Sequence, residues 1–421
     1  MGAALAACGG SGSNSSEETS AQTQGAAQSE GSSEGNVAAS DDIPVKLRMA
    51  SVVSQNELNE RKTGMAAGLM TWIDTVQQES GGSITIDLYP DSQLASGTDA
   101  IVNGITSGAF EVAHFTTSNW GEYSNAFAEL NVPYLFSNYE EVDKILEGDI
   151  GQQMKERLEQ DVRGIKPLTY LFIGFRNVTA SKPIQTVDDM KGLKIRTMND
   201  KLQIAAMEAM GCAVTSVPIS ELYSALQTKM VDAEENPLST IYSNKFYEVN
   251  PYCCLTNHSY TSTFVFMNKD AYDKLSDNQK TAIEKANEAA LAASQEAAGS
   301  ADEEYKKLLT DAGMTIYEPT AEELKKFQDA ASSCWDQAKE IMGQERYDAL
   351  MAEKYQRLEK KFCKHRSVCQ RGHFHRDHVP SVFAGGEPLC VSPFFYLDRG
   401  TFRTVVRVDD LPGGFQCGNL S

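Results

Sequence analysis

The stretch KGLKIRTMND, residues 191–200, sets an arginine into a short apolar run. Leu193 and Ile195 alternate with Lys194 and Arg196, the period of two that belongs to a strand with one covered face. The chain has 38 Lys and Arg against 58 Asp and Glu, a net charge of −20. A field of that sign repels anions, so a bound anion must be held by a local group. A guanidinium suits the task, because its planar fork of donors meets a carboxylate with two parallel bonds. Arg196 is therefore either a solvated strand-face residue or a carboxylate clamp inside a cleft. The same charge argues against nucleic acid as a partner and against electrostatic docking on anionic lipid.

The other candidate chemistry lies near the C-terminus. CKHRSVCQRGHFHRDH, residues 363–378, holds Cys363, Cys369, His365, His373, His375 and His378, with four of the chain's six histidines. The spacing matches no familiar zinc finger. From Gln356 onward ten Lys and Arg face six Asp and Glu, so the sign of the charge reverses. Residues 356–421 read as a frameshifted or non-native tail; a metal site and an appended module are the alternatives. The main body shows no paired general base and no open metal position. No enzyme activity, cofactor or metal is expected, and a hydrolase using the Cys/His tail is the rival reading.

Smaller features read as structure. His258 in TNHSY fits a hydrogen-bonded structural role better than ligand contact. Strand alternation sends the adjacent Cys253 and Cys254 to opposite faces, which means packing and not redox chemistry. Trp72 and Trp335 sit on helical stripes and read as core.

The elements that would position Arg196 alternate between two periods. Strands are expected at 45–53, 83–90 and 110–115, with helices at 60–80 and 97–108, the latter closed by Gly108. Met65, Leu69, Trp72, Ile73 and Val76 form the stripe of the first helix. This β-α-β-α-β rhythm implies a mostly parallel sheet covered by helices. A second series follows: the strand GLKIRT, a helix over 201–210, the strand AVTSVP, a helix over 220–230 and a short strand near Val231. Two long β-rich runs, 168–180 and 262–268, bracket this unit and suggest two lobes joined by crossing strands. SDNQ, residues 276–279, and TAEE, residues 320–323, read as capping boxes. The first opens a helix that reaches about Thr310.

At the N-terminus LAAC, Leu5 to Cys8, fits a bacterial lipobox, with Cys8 as the lipidated residue. The usual basic and apolar parts of a signal are missing, so the true start is expected upstream. The Ser/Gly/Glu/Gln-rich stretch that follows cannot bury enough surface to offset chain entropy and reads as a tether. No run reaches the ~20 apolar residues of a spanning helix.

Four motifs then carry a resemblance: YPDSQLASG, NVPYLFSNYEEVDKILEG, GFRNVTASKPIQTVDDMKGLKIRTMND and ELYSALQTKMVDAEENPLSTIYSNKFYEVNPYCCLTNH. Over about residues 44–350 the chain resembles the solute-binding subunits of TRAP (tripartite ATP-independent periplasmic) transporters, of the C4-dicarboxylate- and sialic-acid-binding type. The resemblance implies a two-lobed α/β periplasmic-binding-protein-like fold with crossing strands and a long bracing helix. It implies an extracytoplasmic protein that captures a small organic acid and delivers it to a membrane permease driven by a sodium gradient. Presentation of ligand to a membrane sensor is the alternative. The family's principal carboxylate-binding arginine falls on Arg196, a second ligand arginine on Arg176, and the family asparagine of EENP on Asn236.

The chain departs from the family pattern in places. The position of a ligand-stacking aromatic residue is Ile219, and the acidic residue of sialate binders aligns with Thr116. VDAEENP replaces VDGQENP, so Ala233 removes a glycine and Glu234 adds a charge. First-lobe contacts are expected within 54–59 and 116–120, with Trp120 near enough to report binding by fluorescence. The expected organisation is a truncated signal and linker over 1–41, lobe I over 42–170 completed by about 266–315, lobe II over 171–265, and packing helices over 316–355. The protein is expected to act as a monomer held to the membrane by its lipid.

Overall fold

The computed structural model describes residues 42–364 and two short strands at 395–398 and 401–404. Cys8, the linker and most of the Cys/His tail lie outside the described residues. The helix that contains residue 356 runs on to Lys364, so the tail boundary expected there falls inside a helix.

The strands are β1 (Val45–Ser51), β2 (Ile84–Tyr89), β3 (Val112–Thr116), β4 (Ile165–Ala180), β5 (Lys194–Thr197), β6 (Ala213–Ser216), β7 (Ala233–Asn236), β8 (Tyr252–Asn268) and β9 (Thr315–Tyr317). Phe395–Asp398 and Thr401–Thr404 pair with each other as an antiparallel ladder, β10 and β11. Helices α1 (Gln55–Glu60), α2 (Gly64–Glu79) and α3 (Thr98–Ser107) alternate with the first strands, and α4 (Tyr139–Glu147) and α5 (Asp149–Asp161) follow β3. Helices α6 (Lys201–Ala209), α7 (Ile219–Gln227) and α8 (Leu238–Ser243) belong to the second series. After β8 come α9 (Lys269–Asp273), α10 (Asp277–Asp311), α11 (Ala321–Ala331), α12 (Cys334–Met342) and α13 (Gln344–Lys364).

The main sheet has the order β2-β1-β3-β8-β4-β7-β5-β6, with β9 beside β8. Within each series the strands pair in parallel, as the β-α rhythm demands. The crossing strands β4 and β8 depart from that expectation: they run antiparallel to each other and to β3 and β7. They pair from Ile165↔Asn268 to Ala180↔Tyr252, with register shifts between Pro167 and Thr169, Phe172 and Gly174, and Arg176 and Val178. Gly174 holds φ 153° at the middle shift. A Cβ there would also sit 3.2 Å from Tyr139 Oη and 3.3 Å from Pro237 Cβ.

Strand β8 begins ten residues earlier than its apolar pattern suggests. The reason is a buried polar ladder: Thr256, His258, Ser259, Thr261, Ser262 and Thr263 are all covered. Partners meet most of them, as when Thr256 pairs with His258 and Thr263 with His114, while Ser259 Oγ has none among the described residues. Their polarity hides the strand from a hydrophobic reading. Helices α4 and α5 were legible but not predicted: Asn138 caps α4 through Glu141 N, and Val142, Ile145 and Leu146 form its buried stripe.

Two apolar clusters cover each half of the sheet. Leu47, Met49, Leu69, Trp72, Ile283 and Ala290 lie in one first-lobe cluster; Phe115, Trp120, Phe264 and Phe266 lie in the other. Ile195, Met207, Cys254 and Phe327 pack on one second-lobe face; Leu222, Ile241, Cys253 and Tyr305 pack on the other. Cys253 and Cys254 thus point to opposite sides. Helix α10, about 50 Å long by its rise, feeds both halves. Its Ile283, Ala286 and Ala290 enter a first-lobe cluster, and Ala301, Tyr305 and Leu309 a second-lobe one.

Trp72 is fully buried and donates Nε1 to Asn287 Oδ1 at 2.8 Å. Trp335 is only half-buried at the edge of its cluster, with the Lys354 ammonium over its ring at 4.4 Å.

Candidate functional site

Arg196 sits in the middle of β5, and its side chain is 3% exposed. Its tip does not face bulk water. Nε and Nη2 donate to the Val217 carbonyl at 2.9 and 2.8 Å. Nη1 is buried and has no hydrogen-bond partner among the described residues. Burial pulls the guanidinium down to about 10, with Glu235 and Glu234 opposing and Arg176 adding to the fall. It stays charged at neutral pH. A buried charged donor without a partner is costly, and a carboxylate oxygen would satisfy it.

Arg176 lies on β4 and is equally buried, but its donors are spent. Nε donates to Glu235 Oε2, Nη2 to Glu235 Oε1 and its carbonyl and to Asn236 Oδ1, and Nη1 to Thr261 Oγ1. Only one Nη1 hydrogen is left over. Glu235 also accepts from Thr197 Oγ1 at 2.6 Å and faces His258 Nε2 at 3.2 Å. Burial alone would raise the Glu235 carboxyl; the Arg176 charge and the bonds from His258 and Arg176 outweigh it and hold it at about 2. Arg176 and Glu235 therefore form a fully buried ion pair within the protein. His258 closes the pair with its other nitrogen on Thr256, the structural role its sequence context suggested.

Asn236 ends β7 with its oxygen turned to Arg176 and its nitrogen to Glu234 Oε2. Glu234 is buried, takes a second bond from Thr179 Oγ1, and forms no ion pair among the described residues. Burial pushes its carboxyl up to about 7, against hydrogen bonds from Thr179 and Asn236. Strand register sets Glu234 beside Arg196.

The first lobe reaches the same place. Thr116, at the end of β3, touches Met198 Sδ through Oγ1 at 3.7 Å, two residues beyond Arg196. Ser96 and Ser220 meet at 3.4 Å. Gln203 Nε2 donates to Ser118 Oγ at 3.2 Å, and Asn131 Nδ2 to Asp200 Oδ2 at 2.9 Å. Ile219 opens α7 two residues after Val217 and is half-buried against the adjoining cluster. Trp120 lies one residue before Gly121, which lines a cavity with Asp200. It is buried among Phe115 and Phe266, with ring centroids at 5.2 and 5.1 Å, inside the first-lobe core. A cavity of about 230 Å³ opens beside Asp200, Asn131 and Thr117, but Arg196 is not on its wall.

The structure thus brings Arg196, Arg176, Asn236 and Glu234 into one buried cluster, with Thr116 and Ile219 at its approaches. Sequence reasoning missed Glu235. The adjacent acids of EEN, on a strand beside an arginine strand, were the available signal. The Val217 carbonyl carries none, because a backbone acceptor has no residue type.

Two α/β lobes joined by crossing strands, with buried arginines on neighbouring strands, are the architecture of the class of solute-binding proteins. The chain belongs to the family of bacterial extracellular solute-binding proteins, family 7, which matches residues 56–341. It is 35% identical over 211 residues to the 2,3-diketo-L-gulonate-binding periplasmic protein YiaO of Escherichia coli K12, covering 50% of this chain and 63% of that relative. It is 30% identical over 315 residues to the C4-dicarboxylate-binding periplasmic protein DctP of Rhodobacter capsulatus, covering 73% of this chain and 91% of that one. The structure of the sugar acid binding protein DctPAm of Advenella mimigardefordensis, in complex with galactonate, superposes with a TM-score of 0.70 at 27% identity, covering 75% of this chain and 99% of that one. Among the described residues no helix is long and apolar enough to cross a membrane, and no cluster of three His, Cys, Asp or Glu could hold a metal.

Proposed function

We propose that the chain captures a small organic acid between its lobes and delivers it to the permease of a TRAP transporter. The observation that carries the reading is the unpartnered Nη1 of the buried Arg196. A charge-assisted bond there contributes about 1.5–3 kcal/mol. Micromolar capture requires about 8 kcal/mol, so further donors must share the work. The spare Nη1 hydrogen of Arg176 and the spare amide hydrogen of Asn236 are the nearest candidates, while Thr116 and Ile219 bound the space. Arg176 then serves first as the partner of Glu235 and only second as a ligand donor. The relatives support an acid as ligand, since their names and titles give a diketogulonate, C4-dicarboxylates and galactonate. The protein acts outside the cytoplasm, as a monomer, tethered through a lipid on Cys8.

The test is a thermal-shift and calorimetric screen of sugar acids, C4-dicarboxylates and sialate. At least one acid should bind the wild type, and Arg196→Ala should abolish that binding. An Arg196→Ala protein with wild-type affinity would sink the reading.

A further inference from the structure

Glu234 is the one residue of the cluster whose charge has no cation of its own among the described contacts. Its Oε1 accepts from Thr179 Oγ1 and its Oε2 from Asn236 Nδ2. Asn236 Oδ1 in turn accepts from Arg176 Nη2 at 2.9 Å. The chain Thr179–Glu234–Asn236–Arg176 fixes the direction of the amide. Its carbonyl is turned to Arg176 and one hydrogen to Glu234, which leaves the second amide hydrogen as a free donor.

The charges around Glu234 come from every strand packed on it: Glu235 on β7 itself, Arg196 on β5, Arg176 on β4, and the thiol of Cys253 and imidazole of His258 on β8. Arg176 and Glu235 cancel as an ion pair. Arg196 and Glu234 remain and balance each other. A bound carboxylate adds a second negative charge opposite the single positive charge of Arg196. In a buried site that surplus is expensive, and one proton restores neutrality.

We propose that Glu234 is a positioning residue for organic-acid capture: it orients the Asn236 amide with one hydrogen left to donate, and its carboxyl takes up one proton from water as the acid binds. Both hydrogen bonds survive the proton. The protonated oxygen donates to Thr179 Oγ1, which turns from donor to acceptor, and the other oxygen still accepts from Asn236. Burial already pushes the Glu234 carboxyl up to about 7 in the free protein, so the proton is available near neutral pH. The inference rests on the organic-acid reading above.

The experiment titrates the full chain with galactonate and with succinate from about pH 6 to about pH 8, in buffers of different ionisation enthalpy. Wild-type affinity should fall about tenfold across that range, with net proton uptake on binding. Glu234→Gln keeps an acceptor for Asn236 and a donor for Thr179 but cannot titrate; it should bind with a flat pH profile and no uptake. Glu234→Leu, which frees the amide, should bind more weakly at every pH. A wild type with no uptake and a flat profile, or Glu234→Gln retaining the wild-type slope, would overturn the proposal. Infrared spectra of the ligand-free protein judge the proton separately. At about pH 6 the protonated-carboxyl band should be stronger in wild type than in Glu234→Gln, with Glu57 contributing equally to both. If neither acid binds, the organic-acid reading fails for these two acids, and absence of that difference overturns the protonation of Glu234 as well.

Discussion

Arg196 fixes its guanidinium on a single carbonyl, with Nε and Nη2 at 2.9 and 2.8 Å from Val217 O. This leaves Nη1 as the donor without a partner. The contrast with Arg176, whose three nitrogens all have partners, separates the two arginines by function. The proposed function assigns the first to the ligand, and the ion pair with Glu235 assigns the second to the fold.

Arg196→Ala should remove binding and leave folding nearly untouched. The loss of a charge-assisted contact of about 3 kcal/mol corresponds to more than a hundredfold in affinity. The urea midpoint should shift much less than in Arg176→Ala, because the hydrogen bonds lost are those to one carbonyl and Glu234, left without Arg196, can take a proton near neutral pH. Calorimetry and denaturation on the same protein check both halves. A large drop in stability would mean that Arg196 is structural.

Arg176→Ala should do the reverse. It strands Glu235 in the interior without its cation, which costs about 3–5 kcal/mol. Lysine should not rescue it, since one ammonium cannot reach Glu235, Thr261 and Asn236 together. The measurement is the unfolding free energy of the two variants without ligand. A near-wild-type midpoint for Arg176→Lys would contradict the ion-pair account.

Glu57 gives a pH dependence with a definite sign. It is buried on α1 beside Thr63 Oγ1 at 2.9 Å, and burial lifts its carboxyl from 4.5 to about 7, against bonds from Thr63 and Ser243. A carboxyl raised in the folded state favours the fold below the unfolded value and loses that contribution as pH rises to the folded one. Wild type should lose about 3 kcal/mol from this group between about pH 4.5 and about pH 7. Glu57→Gln should match wild type at the low end and exceed it at the high end. Equal stabilities of the two proteins at about pH 8 would refute this.

Gly64 tests the seam between α2 and α10. A Cβ there would lie 2.7 Å from Ser294 O and 2.8 Å from Phe172 O, backbone atoms that cannot swing aside. Gly64→Ala should cost about 1–3 kcal/mol by overpacking. Gly299, on α10 with nothing near its would-be Cβ, is the control: Gly299→Ala should gain about 1 kcal/mol of helix stability. Thermal midpoints moving in opposite directions are the expected result.

Local physics made much of this fold legible. The capping boxes at Ser276 and Thr320 form as the sequence indicates. The stripe of α2 from Met65 to Val76 is buried, and the strand and helix expected on either side of Arg196 are present. Each of these depends on residues within a turn or two of one another, so spacing alone can report them. The motifs around Arg196, Arg176 and Asn236 likewise pointed to one place.

Tertiary structure decided the rest. Arg176 meets Glu235 across 59 positions of sequence, because β4 and β7 are neighbours only through sheet order. That pairing decides which arginine has a free donor, and no residue type announces it. Trp120 is enclosed by Phe115 and Phe266 from separate strands, a packing that sequence spacing does not report. The run from Thr256 to Thr263 in β8 is largely polar in sequence and, Asn257 apart, buried; partners on β3, β4 and β7 meet Thr263, Thr261 and His258. The sequence determined the elements and the chemical types at the site. The order of strands determined which of those types are left with an unmet hydrogen bond, since a donor is free only relative to the neighbours the fold brings beside it.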